Sequence, residues 1–252
     1  MRAPVDTIAA PLFPTGLPWV NATGPQATIH RGTPMLVEFW DFCRPNSLRT
    51  LPYVRAWHER YREQGLRVFG VHSPGFQASS GERAVRDAVE RLQIAYPVLI
   101  DSELVLWQEY ENEGWPARYL FDGRGRLFDY HYGEGAYEET ERAIAELLGV
   151  THEPLAPVRP EDAPGARLLR QTPDQPGAYR GAYAAGEVWA VLDGKGTLRV
   201  HGTQEREVQA VEVRHPGAYL LRAHPRHTEG VIELEPGEGL ICEATCFTPG
   251  LA

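Results

Sequence analysis

The sequence predicts two domains, an α/β domain over residues 1–150 and a small all-β domain of the sandwich or jelly-roll type over residues 166–252. Three observations lead to this prediction. Strand-like and helix-like segments alternate in the first 150 residues, which is typical of a parallel sheet covered by helices. Residues 151–165 are rich in proline and acidic residues and have no periodicity, which indicates a linker. After this linker the hydrophobic pattern alternates with a period of two, as in strands with one buried face.

Short apolar runs predict the strands of the first domain. The run at 34–40 is almost continuously apolar, as expected of a strand buried on both faces. Residues 122–125 read Asp-Gly-Arg-Gly, a strong turn signal between two strand-like runs, and they predict an antiparallel hairpin. The predicted strands are 19–21, 34–40, 66–72, 97–100, 118–121 and 126–132.

Apolar residues at helical spacing predict four helices between these strands. The first helix begins near Asn46 and ends before Gly65. Its buried stripe consists of Leu51, Val54, Trp57 and Tyr61. The other helices are predicted around 85–92, at 103–110 and at 137–148, so the element order is β-α-β-α-β-α-β-β-α.

The second domain contains only strand signals, separated by turns such as Asp193-Gly194-Lys195-Gly196. Short strands at this spacing are typical of a small sandwich or jelly roll. The predicted strands are 188–192, 197–201, 208–213, 218–222, 230–234 and 240–247.

Composition restricts the classes of function. The formal net charge of −9 gives no basic surface, so we expect no nucleic-acid partner. No run approaches the roughly 20 apolar residues of a membrane span, and Met1–Asp6 lack the apolar region of a secretory signal. Three cysteines fit a reducing compartment better than a disulfide scaffold. We therefore expect a cytoplasmic protein.

Several motifs resemble one family in order and at its spacing. They are Phe39-Trp40, Leu51-Pro52-Tyr53, Gly70-Val71-His72-Ser73-Pro74, Tyr96-Pro97-Val98, Trp115-Pro116-Ala117 and Gly133-Glu134-Gly135. From about Trp19 to Leu148 the chain resembles the soluble thioredoxin-like module of DipZ-type thiol-disulfide interchange proteins, which belong to the TlpA/ResA class. The resemblance implies a thioredoxin-like fold for the first domain and thiol-disulfide oxidoreductase chemistry.

The chain departs from this family at the active site. The resemblance places the nucleophilic cysteine at Arg44 and the resolving cysteine at Ser47, so Arg44-Pro45-Asn46-Ser47 replaces the Cys-x-x-Cys dithiol. Resolution of a mixed disulfide needs a second thiol, which a serine does not supply. Cys43 is the remaining thiol in this loop. It precedes a helix start and Arg44, which favour the thiolate, but its aromatic neighbours favour burial. We expect burial to prevail and Cys43 to react slowly.

Two further site features follow from the resemblance. Glu38 matches the buried carboxylate that accepts a proton in the family, although a solvent-facing acid at a strand edge has the same pattern. Trp115-Pro116 matches the loop with a cis-proline that faces the active-site helix. The candidate catalytic residues are thus Cys43 and Glu38. The candidate binding groove consists of Arg44, Pro45, Ser47, Trp115 and Pro116.

The second domain carries weaker signals. The period of two places Cys242 and Cys246 on the same face of one predicted strand, and we expect both to be core residues. Positions four apart on a strand lie about 13 Å apart, beyond the reach of a disulfide. His215, His224 and His227 lack the spacing of known metal sites, so we expect no metal. Around 237–249 the chain resembles the carbohydrate-binding-module-like domain of DipZ. Sugar stacking and packing in a core are alternative roles for Tyr179, Tyr183 and Trp189.

Two functions remain open from the sequence. The first is a monothiol redox protein acting through Cys43 on a protein thiol. The second is a non-catalytic binding or adaptor protein that uses the thioredoxin groove to hold a peptide. Neither requires a cofactor.

Overall fold

The computed structural model describes residues 7–22, 32–202 and 208–252. The chain divides into two compact units. The first comprises Met1–Asp41, Asn46–Pro74 and Val85–Ala156, and the second comprises Phe42–Pro45, Gly75–Ala84 and Pro157–Ala252. The sequence does not indicate that residues 42–45 and 75–84 group with the later part of the chain. The expectation of a cytoplasmic protein rests partly on Met1–Asp6, which lie outside the described residues.

A six-stranded sheet lies at the centre of the first unit. Its strands are β1 (Trp19–Val20), β2 (Met35–Trp40), β3 (Arg67–His72), β4 (Val98–Ile100), β5 (Ala117–Phe121) and β6 (Leu127–Tyr132). Their order across the sheet is β1-β4-β3-β2-β5-β6. Strands β2, β3 and β4 are parallel, while β5 and β6 form the antiparallel hairpin. The α/β prediction for the first part of the chain is confirmed.

The helices lie between these strands as predicted. They are α1 (Pro45–Tyr61), α2 (Glu82–Arg91), α3 (Val105–Glu109) and α4 (Tyr137–Leu148). Helix α1 begins at a proline, whose missing N–H would have had no partner in the first turn. Its stripe is fully buried at Val54, Trp57 and Tyr61. Helix α4 ends where Gly149 adopts a left-handed conformation, at φ 67°.

Aromatic rings fill the core under the sheet. Phe39 of β2 is fully buried, and its ring packs edge-on against Trp107, Tyr110 and Tyr119 at centroid distances of 5.9, 5.0 and 5.8 Å. Offset and edge-on pairs of this kind add to the gain from burial alone. This core fixes the end of β2, and the loop of the candidate site begins directly after that strand.

In the described part of the second unit, the residues after 165 form strands. They are β7 (Leu168–Leu169), β8 (Gln175–Pro176), β9 (Arg180–Gly194), β10 (Gly196–His201), β11 (Val208–Val213), β12 (Gly217–Pro236), β13 (Leu240–Thr248) and β14 (Gly250–Leu251). Six of them form one sheet in the order β11-β10-β12-β9-β13-β8, and β14 pairs with β7. The predicted sheet-rich region after the α/β part is confirmed, and its sandwich or jelly-roll form stays a prediction.

Two details differ from the sequence prediction. Segments 218–222 and 230–234 belong to one strand, β12, because shifts in register after Leu220 and Ala223 let the strand bend without ending. Within the predicted linker, Pro160–Asp162 form a 3₁₀ turn, and Arg159 closes it with an ion pair to Asp162 at 3.0 Å. No helix in the described ranges is long and apolar enough to cross a membrane.

Candidate functional site

The loop between β2 and α1 is short and closed by a serine. Strand β2 ends at Trp40 and helix α1 begins at Pro45. The backbone N–H of Asp41 donates a hydrogen bond to the Ser47 hydroxyl at 3.3 Å, and Ser47 is 1% exposed. The Ser47 hydroxyl therefore stabilises the turn that leads into the helix.

Cys43 and Arg44 occupy different environments in this loop. Cys43 is fully buried, whereas Arg44 is half-buried. The Arg44 guanidinium lies over the Phe76 ring, 4.4 Å from its centroid. A Cβ atom added at Gly75 would come within 2.8 Å of the same guanidinium, so a larger residue there would displace the Arg44 side chain from this position. A guanidinium keeps its proton in proteins and cannot act as a nucleophile.

Backbone and side-chain bonds hold this loop within the second unit. The Ala218 N–H donates to the Phe42 carbonyl at 3.4 Å. The Glu243 carboxylate accepts from the N–H groups of Gln77 and Ala78 at 2.9 and 2.7 Å, next to Phe76. Hydrogen bonds to an ionised acceptor are roughly twice as strong as neutral ones. Residues 42–45 and 75–84 are thus anchored by a backbone N–H and a carboxylate that come 165 or more positions later in the sequence.

Glu38 is a buried acid, and the alternative of a solvent-facing acid at a strand edge is wrong. It is 1% exposed, and neither carboxylate oxygen has a hydrogen-bond partner among the described residues. Burial raises its pKa to about 8, although the charge of Arg118 acts in the opposite direction. Arg118 is its cross-strand partner on β5 and is also buried, and burial lowers the Arg118 pKa. Glu38 therefore holds a proton at neutral pH.

Trp115 and Pro116 precede β5, and the peptide bond between them is cis, as the resemblance implies. The Trp115 indole N–H donates to the Ser73 carbonyl at 2.8 Å, and its ring lies 4.2 Å from the Trp107 ring. Pro116 is buried, which leaves Trp115 as the half-buried side chain of this loop.

Comparison with known proteins gives related sequences on this fold. No protein-family model matches the chain. It is 32% identical to the protein DipZ of Mycobacterium bovis over 163 residues, and this matched region covers 61% of this chain and 24% of DipZ. It is 26% identical over 133 residues to the thiol-disulfide oxidoreductase YkuV of Bacillus subtilis, covering 53% of this chain and 89% of YkuV. The matched part of the chain is a thioredoxin-like module of the DipZ, TlpA and ResA class.

A solved structure agrees on the fold of this thioredoxin-like module. The solution structure of an oxidised thioredoxin-like protein superposes with a TM-score of 0.50 at 24% identity, over 56% of this chain and 95% of that protein. The chain spans about a quarter of the length of its DipZ relatives.

The two cysteines of β13 are wholly or partly buried. Cys246 is buried and Cys242 half-buried; burial raises the pKa of Cys242 to about 11. A register shift on β13 falls between Cys242 and Ala244, so the two thiols do not follow the simple alternation expected of them. Burial also raises the pKa of Cys246, while the charge of Arg44 lowers it.

The aromatic and histidine residues of the second unit also have structural partners. Tyr183 is buried and stacks on Phe247 and His224, which favours its role in a core over sugar stacking. Tyr179 and Trp189 are half-buried. Among the described residues no group of His, Cys, Asp and Glu could hold a metal ion.

Sequence reasoning missed Gly75, Phe76 and Glu243 as neighbours of the module's loop. A glycine and a phenylalanine in a loop carry no distinctive pattern, and Glu243 lies in a strand of alternating residues. The shift in register at Glu243 is the structural feature that sets this residue apart, and it has no sequence signal of its own.

Proposed function

We propose that this chain is a monothiol member of its thiol-disulfide oxidoreductase class, acting through Cys43 on protein or low-molecular-weight thiols. The observation that carries the proposal is the composition of the loop between β2 and α1. Cys43 is its thiol, while Arg44 and Ser47 stand where the resemblance places the two cysteines of the dithiol. The relative YkuV, a thiol-disulfide oxidoreductase by its name, supports the class. The alternative of a purely binding protein is not favoured by these relatives.

The proposed reaction consists of two exchanges. The Cys43 thiolate attacks a disulfide of the partner, a bond forms between Cys43 and one partner sulfur, and the other partner sulfur leaves as a thiolate. A second, external thiolate then attacks the mixed disulfide and releases the Cys43 thiolate. The external thiol is required because Ser47 has no sulfur and its hydroxyl already accepts from Asp41.

Burial sets the rate of this chemistry. Cys43 has no exposed surface in the described conformation, so a disulfide reaches it only when the 42–45 loop opens. The contacts that oppose opening include the Ala218 bond to Phe42 and the stacking of Arg44 on Phe76. We therefore propose that Cys43 reacts slowly, at a rate limited by opening of the 42–45 loop.

Glu38 enters the proposal as the buried proton-holding group that the resemblance implies. With a pKa of about 8 it exchanges its proton in the pH range where thiols ionise. If Glu38 affects Cys43, the pH midpoint of Cys43 modification will move when Glu38 is replaced by Gln.

The test is a cycle of glutathionylation. The protein is incubated with oxidised glutathione at pH 7.5, peptide mapping by mass spectrometry follows the mass added at Cys43, and reduced glutathione is then added. We expect slow, complete addition at Cys43 and full release, with no addition at that peptide in Cys43→Ser. A wild-type protein that stays unmodified at Cys43 after local opening by 2 M urea would overturn the proposal and leave the binding alternative.

A further inference from the structure

A cleft runs along the edge of the first sheet. Its volume is about 710 Å³, and all its described lining residues belong to the first unit. The lining comes from residues 8–11, from the segment after α3 and from strands β5 and β6. The described lining residues include four tyrosines and three glutamates but no basic side chain.

Tyrosine rings form one wall of this cleft. Tyr130 and Tyr132 on β6 are each 42% exposed, and their ring centroids are 5.5 Å apart at an angle of 68°. Tyr132 packs edge-on against Tyr119, which in turn packs against the buried Tyr110. The face of an aromatic ring attracts a cation within about 6 Å of its centroid. Two exposed rings at this spacing therefore suit a cationic side chain with an alkyl stem.

Carboxylates and oxygen acceptors complete the cleft. Glu109, Glu111 and Glu113 are exposed, and none of them forms an ion pair with a residue in the described ranges. The Tyr110 hydroxyl is buried, with 8% of the residue exposed, and has no hydrogen-bond partner in the described part of the chain. The Tyr119 hydroxyl already donates its proton to Asn112 at 2.8 Å. The cleft is thus rich in negative charge and acceptors, and a ligand that supplies positive charge and donors would complement it.

The edge of the sheet indicates which kind of molecule presents the cationic group to the cleft. Among the residues that the structure describes, β6 is the last strand in the order of the sheet, and no further strand lies on its outer edge beside the cleft. The chain already adds an extended segment to the start of this edge, since Leu127 N–H donates to the Ile8 carbonyl and Ala10 N–H donates to the Gly125 carbonyl. Extended peptides bind exposed sheet edges in the same way, with alternate side chains on one face.

We propose that this cleft binds an extended peptide of a partner protein that presents lysine or arginine side chains at alternate positions. The backbone of the peptide lies along β6, and its cations contact Tyr130, Tyr132 and the three glutamates. This site is separate from the thiol chemistry proposed above and does not depend on it.

The test uses blocked eight-residue peptides in isothermal titration calorimetry at 50 mM salt. One peptide alternates Lys with Val, a second alternates Glu with Val, and N-acetyl-lysine amide represents a free cation. We expect the Lys peptide to bind, the Glu peptide to show no binding, and the free cation to bind at least tenfold more weakly than the Lys peptide. If N-acetyl-lysine amide bound as tightly as the Lys peptide, the cleft would be a small-molecule site and the peptide proposal would be wrong.

Matched variants locate the binding. Glu111→Gln with Glu113→Gln should weaken the Lys peptide about tenfold, and Tyr130→Leu, which keeps apolar area but removes the ring, several-fold. Glu90→Gln with Glu103→Gln changes the net charge equally at exposed positions outside the lining and should alter affinity less than twofold. If the Lys peptide fails to bind, or if both double variants weaken it equally, the proposal is wrong.

Discussion

Replacing Glu38 by Gln should make the protein more stable at neutral and alkaline pH. The folded pKa of Glu38 is about 8, above the ordinary value of 4.5, because the carboxyl is buried. The folded protein therefore keeps a proton that the unfolded chain releases between pH 4.5 and about 8, so this group lowers stability as the pH rises through that window. At about 1.36 kcal/mol per pKa unit, the penalty is roughly 3 kcal/mol at pH 7 and between about 4 and 5 kcal/mol at pH 9. Gln carries no such penalty.

Urea unfolding at pH 4.5, 7 and 9, followed by tryptophan fluorescence, measures this effect. The free energies of unfolding of Glu38→Gln and wild type should differ little at pH 4.5 and diverge by about 3 kcal/mol in favour of the variant at pH 7. The exposed Glu63→Gln serves as the control and should follow wild type at every pH. A difference between Glu38→Gln and wild type that stays constant with pH would refute the assignment of Glu38 as a protonated buried acid.

Three further predictions follow from the site and its supports. The protein should show no insulin-reductase activity with dithiothreitol, because positions 44 and 47 hold no thiols; turnover at a few per cent of a dithiol thioredoxin would contradict this. The double variant Arg44→Cys with Ser47→Cys should form an internal disulfide and gain reductase activity, and a folded variant that stays reduced in oxidised glutathione would count against the alignment. Asp101→Ala should lower the free energy of unfolding by about 2 kcal/mol in urea titration. The Asp101 carboxylate accepts hydrogen bonds from the Ser73 hydroxyl and from two backbone N–H groups at the start of α3, and the variant loses them. A loss of stability no larger than that of the exposed Glu103→Ala would contradict this prediction.

The α/β part of the fold was predictable because its signals are local. The apolar run at 34–40 and the stripe of α1 report burial directly, and the turn at 122–125 specifies the hairpin. Strand β12 was predicted in two pieces because residues 223–229 include Pro225 and charged or polar side chains. A change in register allows such residues to stay within a strand, and no local pattern reports a change in register.

The candidate site was predictable only in its residue identities. The sequence places Cys43, Arg44 and Ser47 in one loop, and the resemblance supplies their expected roles. Whether a thiol in that loop is exposed depends on packing. Phe42, next to Cys43, is bound by Ala218, and the segment beside Phe76 is bound by Glu243, both far away in the sequence. Contacts of this kind arise from the tertiary fold and leave no periodicity in the sequence. The burial expected for Cys43 agrees with its position, while the residues that hold its loop were not foreseen.

The rate of Cys43 alkylation tests the central claim most directly. Iodoacetamide labelling at pH 7, read by peptide mapping, should be much slower at Cys43 than at a free thiol, because the loop must open first. Glu243→Gln weakens the charged anchor of residues 75–84, and since such hydrogen bonds contribute about 1.5–3 kcal/mol it should accelerate labelling about tenfold or more. The exposed control Glu229→Gln should leave the rate unchanged. Labelling of wild-type Cys43 as fast as that of a free thiol, or an unchanged rate in Glu243→Gln, would contradict a monothiol held behind an anchored loop.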